Sequence, residues 1–104
     1  MTSFDDREHA FEAKFALDAT MQFRAEARRN KLLGLWAAGL MGKTGEAAAA
    51  YAVEVISSDF EEAGVEDVVR KVAADLAGKA SADEIRAKLV TLMTEAKAQL
   101  LAEI

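Results

Sequence analysis

The sequence contains no cysteine and no proline, and both absences restrict what the chain can be. Without cysteine it can form neither a disulfide nor a thiolate metal site. Without proline, and with only six glycines in 104 residues, little in the chain interrupts a helix. Alanine, leucine, glutamate, lysine and arginine are all frequent, which is typical of helical proteins.

Long apolar runs and clusters of catalytic residue types are also missing. No stretch approaches the roughly 20 apolar residues that cross a bilayer, and the acidic N-terminus does not resemble a signal or transit peptide. The single histidine, His9, has only scattered carboxylates around it, which predicts neither a metal site nor a general base. We therefore expect a cytoplasmic protein without membrane insertion, metal, cofactor or catalytic residues, and hence not an enzyme.

The spacing of apolar residues predicts four helices, over about 4–41, 45–59, 65–77 and 81–103. Turn signals separate them at 42–45, 59–64 and Gly78, and Ser81 with Glu84 forms a capping box. The length suits one domain, so the predicted fold is all-α: a small four-helix bundle whose first helix is long and either continuous or broken. The predicted core stripes comprise Leu33, Trp36 and Leu40; Ala47, Ala48, Tyr51, Ala52 and Val55; Val65, Val68, Val69, Val72 and Leu76; Ile85, Leu89, Leu92, Met93, Ala96 and Leu100.

The first nineteen residues have an apolar face of their own. Phe4, Phe11 and Phe15 fall on one side of a helix, among charged residues. Further along, that side is polar through Arg29 and becomes apolar again only at Leu33. We therefore divide the chain into a terminal segment, 1–19, and a bundle, 20–104. From the pattern alone, the three phenylalanines can pack on this bundle or in a groove of a partner.

Two further motifs each allow a functional interpretation and an ordinary structural one. The run 39–44, GLMGKT, is similar to the end of a phosphate-binding loop, but the earlier glycine is replaced by Ala37 and a helix precedes it where a strand is required. This leaves Lys43 and Thr44 as candidates for weak nucleotide binding, and an ordinary turn as the alternative. The basic band Arg24, Arg28, Arg29 and Lys31 lies in a chain of net charge −5. No nucleic acid is expected, and the band is interpreted as a solvated face that pairs with acidic helices or contacts an acidic protein.

At residue level the chain resembles the zeta-subunit family of alphaproteobacterial F-type ATP synthases. The resemblance is carried by FDDRE (4–8), FEAKFA (11–16), AEARRNKLLGLWAA (25–38), GKTG (42–45) and SDF (58–60). It implies a four-helix protein, monomeric when free, that binds the alpha, beta and gamma subunits of the catalytic head and is peripheral to the inner membrane. It also implies that the N-terminal segment inserts at a catalytic interface against the rotating stalk and inhibits ATP hydrolysis.

Carried over to this sequence, the inhibitory segment is about 1–19, and its partner-binding residues are Phe4, Asp5, Asp6, Arg7, Glu8, Phe11, Glu12, Lys14 and Phe15. The phenylalanines are expected to anchor it and the charged residues to supply polar contacts. Two alternatives stay open. One is a non-inhibitory nucleotide-binding or helical interaction protein that uses the Gly42–Gly45 turn, and the other is a free-standing bundle whose phenylalanines are core.

Overall fold

The computed structural model describes residues 18–59 and 64–103. It contains four helices in that part of the chain: α1 (Ala19–Leu40), α2 (Gly45–Ser58), α3 (Glu66–Leu76) and α4 (Ala82–Ala102). No strand occurs within these residues, so the predicted all-α four-helix fold is confirmed. The helix predicted before residue 18 lies outside the described residues.

The first helix begins at a cap of its own. Asp18 has an extended backbone, with φ −111° and ψ 101°. Its Oδ1 accepts hydrogen bonds from the N–H groups of Thr20 at 3.0 Å and Met21 at 3.1 Å. A short carboxylate satisfies free N–H groups at a helix start better than it serves inside a helix. A helix that runs unbroken from Phe4 to Met41 is therefore wrong, since the helix that ends near Met41 begins only at Ala19.

The other helix ends follow local signals in the sequence. After α1, the N–H of Lys43 donates to the carbonyl of Ala38 at 2.8 Å, while Gly42 has a left-handed φ of 79°. This pattern closes the helix as predicted for Gly42. The capping box of α4 is also confirmed, because Ser81 Oγ accepts from the N–H of Glu84 at 3.1 Å and the Glu84 carboxylate accepts in return.

Side chains from all four helices form the main core. It comprises Leu33, Ala37, Ala38, Tyr51, Val55, Val68, Val69, Val72, Leu76, Ala80, Ile85, Leu89 and Leu92. A second cluster, of Met21, Ala25 and Leu100, lies where α1 begins and α4 ends. The prediction that Leu40 and Ala47 belong to the core is wrong, since Leu40 is 40% exposed and Ala47 is exposed. They lie at the end of α1 and the beginning of α2, beside the turn, where less of each helix is covered.

The two aromatic residues predicted for the core, Trp36 and Tyr51, differ in burial. Tyr51 is buried, and its hydroxyl donates to Asp75 Oδ2 at 2.8 Å. Burial, reinforced by that hydrogen bond, raises the pKa of Tyr51. Trp36 is only partly buried against the core, with Lys88 Nζ 5.5 Å from its ring centre. Tyr51 is thus a core anchor as predicted, whereas Trp36 lies at the core's edge.

A close approach of α1 and α2 depends on small residues. Gly34 is buried, and a Cβ atom at this position would lie 2.6 Å from the Cα of Ala52 and 3.2 Å from its Cβ. Ala37, Ala38 and Ala52 are buried as well. The backbones of the two helices can approach this closely only because glycine has no side chain here.

Candidate partner-binding surface

The predicted inhibitory residues lie outside the described part of the chain. These are Phe4, Asp5, Asp6, Arg7, Glu8, Phe11, Glu12, Lys14 and Phe15, and His9 falls in the same stretch. What the structure describes is the point where this segment joins the bundle, at Asp18, and the surface beside that junction. The surface is built from the beginning of α1 and the C-terminal ends of α2 and α4.

Among the described residues, the basic band contains two arginines with an ion pair, Arg28 and Arg29, and two cations without one. Arg28 donates to Gln99 Oε1 at 2.9 Å and to Glu103 Oε1 at 2.8 Å, which confirms the predicted pairing with an acidic helix for this residue. Within residues 18–59 and 64–103, Arg24 and Lys31 are exposed and have no salt-bridge partner. These two cations are therefore available to an acidic ligand.

Arg29 does not belong to the solvated face that the sequence predicts. It is 7% exposed, its Nε donates to Asn30 Oδ1 at 3.0 Å, and its Nη2 lies 3.7 Å from Asp59 Oδ2. Loss of solvent lowers the pKa of Arg29, opposed by the charge of Asp59. A buried guanidinium is tolerated when a carboxylate and an amide face it. No local pattern predicts this cluster, because Asp59 is thirty residues away along the chain.

Asp59 is the member of this cluster whose charge is most poorly compensated. Burial raises the pKa of its carboxyl group against the opposing effects of the Asn30 amide and then of the Arg29 charge. By strict hydrogen-bond geometry, Oδ1 is buried without a partner among the described residues. Because the pKa is higher in the folded than in the unfolded chain, the protonated form favours folding. The free energy of unfolding should therefore fall as the pH rises from the ordinary value of 3.8 through the raised pKa.

Replacement of Asp59 by asparagine tests whether the charge of Asp59 lowers the free energy of unfolding. We expect Asp59→Asn to unfold at a higher denaturant concentration than the unmodified protein at pH 7, with the difference disappearing below about pH 4, where an ordinary carboxyl is protonated. Urea unfolding at several pH values measures it. Glu95→Gln, which removes the same charge from an exposed position in α4, is the control. A loss of stability at pH 7 specific to Asp59→Asn would contradict the prediction.

A groove of 370 Å³ lies beside the junction. Phe23 is 54% exposed there, and together with Ala27 and Ile56 it forms an apolar strip. The groove is lined by Phe23, Arg24, Ala27, Arg28, Lys31, Ile56, Leu100 and Glu103. The sequence does not predict a groove, since its lining comes from three helices that are distant in sequence.

The turn that contains Lys43 and Thr44 connects two helices. Both residues are exposed, and Thr44 caps α2 without a side-chain hydrogen bond. Glu46 occupies the first turn of α2, where its charge opposes binding of an anion. Burial opposes ionisation of Asp75, but hydrogen bonds from Lys71 and Tyr51, with the nearby charge of Lys43, lower its pKa. Lys43 therefore lies near enough to Asp75 for their charges to interact, and weak nucleotide binding remains a prediction.

The described part of the chain offers neither a metal site nor a membrane span. Across residues 18–59 and 64–103, no three histidine, aspartate or glutamate side chains gather as metal ligands would. In the same ranges, no helix combines the length and apolar character needed to span a bilayer. The features that the surface does offer are a groove, an apolar strip and two cations without ion pairs.

These features define a small helical bundle with an exposed groove beside the beginning of α1. The sequence profile of one family, ATPase inhibitor subunit zeta, matches residues 1–99, and the chain belongs to this family. The resemblance read from the sequence is thereby confirmed, and membership implies a regulatory role at ATP synthase.

Comparison with solved structures supports the fold. A protein whose structure was determined by solution NMR is 62% identical, with a TM-score of 0.76, and the match covers 81% of this chain and 99% of that one. A comparison with curated protein sequences gave no match.

Proposed function

We propose that this protein inhibits ATP hydrolysis by the catalytic head of F-type ATP synthase, and that residues 1–19 insert at a catalytic interface against the rotating stalk. Residues 20–104 would hold the inhibitor on the head, which is built from alpha, beta and gamma subunits. Membership of the ATPase inhibitor subunit zeta family carries this proposal. The independent cap at Asp18 supports it, because it separates the start of α1 from the segment that precedes it.

This mode of inhibition needs no catalytic residue. A segment wedged between moving subunits stops rotation by occupying space. Large aromatic side chains at the centre of an interface supply most of the binding free energy in many complexes, and the segment carries Phe4, Phe11 and Phe15. The inhibitor would act in the cytoplasm as a monomer that joins the synthase at the inner membrane, without inserting into the lipid.

The structure sharpens the experiment that tests the proposal. ATP hydrolysis by the cognate head, freed of its own inhibitor, is measured with the full chain and with a variant that lacks residues 1–17. Asp18 is kept because its carboxylate caps α1. We expect the full chain to inhibit and the shortened chain to lose essentially all inhibition, since the wedge is gone.

A folding control accompanies this assay. The shortened chain should retain the helical circular dichroism of α1 to α4 and a cooperative thermal transition, so that lost inhibition can be attributed to the segment. Inhibition by the shortened chain would place the inhibitory element in the bundle instead. Absence of inhibition by both forms would contradict the proposed function as a whole.

A further inference from the structure

The groove beside the junction has an apolar strip with opposite charges on its two sides. Phe23, Ala27 and Ile56 form the strip. On one side lie the cations of α1, namely Arg24, Arg28 and Lys31. On the other side a smaller depression shares the strip and is bounded by the carboxylates of Glu26 and Asp59. A ligand that fits this surface needs an apolar stripe with an acidic and a basic flank.

Residues 1–17 of the same chain carry that pattern. On a helical projection of the sequence, at about 100° per residue, Phe4, Phe11 and Phe15 form one stripe. Asp5, Glu8 and Glu12 project to one flank of the stripe, and Arg7 and Lys14 to the other. The segment and the groove are therefore complementary in both apolar and charged character.

The relative orientation of two helices decides whether their flanks match. When two right-handed helices face each other in parallel, the projected order of the flanks places the acidic flank of the segment against Glu26 and Asp59. When they are antiparallel, the same order places it against Arg24 and Lys31, and places Arg7 and Lys14 against the carboxylates. Charge complementarity thus selects the antiparallel arrangement.

A chain that folds back at the junction is necessarily antiparallel to α1. The extended backbone of Asp18 lies outside α1, at the place where such a reversal must occur. At about 1.5 Å per helical residue, the distance from Phe4 to Phe15 would be roughly 17 Å, and from Phe23 to Lys31 roughly 12 Å. Phe15 would then lie at the level of Phe23, and the segment is long enough to cover the groove.

We infer that, in the free protein, residues 1–17 dock antiparallel to α1 on this groove. Glu12 then faces Arg24, Glu8 faces Lys31, and the phenylalanine stripe covers the strip of Phe23, Ala27 and Ile56. The consequence for regulation rests on the proposed function: the groove covers the phenylalanine stripe of the inhibitor until the ATPase head binds that stripe in its place. The docking itself can be tested without the head.

The absence of cysteine makes a site-specific label straightforward. We would introduce one cysteine by Ala13→Cys, on the side of the segment opposite the phenylalanines, and attach a nitroxide to the full ¹⁵N-labelled chain. At low salt we expect the amide signals of Phe23, Ala27 and Ile56 to lose intensity, and to recover when the nitroxide is reduced. Val90, which is 73% exposed on α4 and outside the groove, should keep its intensity.

Charge reversal tests the pairing. Arg24→Glu with Lys31→Glu should abolish the intensity loss, and Glu8→Arg with Glu12→Arg in that background should restore it. The amide spectrum reports whether each variant remains folded. About 1 M salt, which reduces the screening length to roughly 3 Å, should weaken the effect in the original chain. Three results would overturn the inference. They are an equal intensity loss on all faces of the bundle, no intensity loss, and a loss that these charge reversals do not change.

Two controls separate this inference from neighbouring ones. In the first control, nitroxide-labelled ¹⁴N chain is mixed with ¹⁵N chain that carries no nitroxide, and no intensity loss is expected. A loss there would assign the groove to a second copy and overturn the inference. Inhibition of the ATPase head is measured in parallel. Inhibition without docking would leave the proposed function standing and reject this inference, whereas docking without inhibition would do the reverse.

Discussion

Gly34→Ala is expected to destabilise the protein by about 1 to 3 kcal/mol, although alanine is the better helix former. The reason is the close approach of α1 and α2. The added methyl group would lie 2.6 Å from the Cα of Ala52, which is backbone and cannot rotate away as a side chain would. The helices must move apart, and the buried contact between them loosens. Chemical denaturation followed by circular dichroism measures the difference.

Gly39→Ala is the matched control in the same helix. A Cβ at Gly39 meets no atom within 4 Å, so this variant should be more stable by about 0.5 to 1 kcal/mol. Adding Ala52→Gly to Gly34→Ala should rescue little, because the nearest atom is the Cα and not the methyl group. If both alanine variants were equally stabilising, the close packing of α1 on α2 would be wrong.

The second large effect concerns inhibition and depends on the proposed function. Phe11→Ala combined with Phe15→Ala should weaken inhibition by about 4 kcal/mol, roughly a thousandfold in the concentration required. Both side chains would otherwise be buried at the centre of the interface with the head. Titration of ATP hydrolysis with the variant measures the loss.

Two measurements make this result specific. The double leucine variant, Phe11→Leu with Phe15→Leu, keeps apolar side chains and should retain a substantial part of the inhibition. The alanine variant should preserve the cooperative unfolding of the bundle, since the main core is drawn from α1 to α4. Full inhibition by the alanine variant, or collapse of its bundle, would contradict the division of the chain into an inhibitory segment and a bundle.

Local patterns predict most of this fold. The 3.6-residue period of the valines in α3, the capping box at Ser81 and the left-handed residue at Gly42 each depend on neighbours within one helical turn, and each is confirmed. The start of α1 is harder to predict. Asp18 lies in a run without helix breakers, where propensity allows helix to continue, and its capping hydrogen bonds decide the boundary.

Features that depend on distant residues could not be predicted. The sequence indicates a solvated Arg29, but the fold brings Asp59 beside it and buries the pair. The role of Gly34 is invisible without Ala52, which lies on another helix. The groove is likewise assembled from α1, α2 and α4. Of the candidate site, the sequence therefore supplies the segment with its phenylalanines, which stays a prediction, and only the fold supplies the surface beside it.

The cap at Asp18 has a consequence for how such a protein can change over evolutionary time. Helical order in α1 starts at its own hydrogen-bonded boundary, the carboxylate of Asp18. On the proposed function, substitutions upstream of this cap would alter affinity for the ATPase head more than folding of the bundle, because the main core is formed by residues of α1 to α4 and the α3–α4 connection. Selection would then act on inhibitory potency and on stability of the main core as largely separate traits.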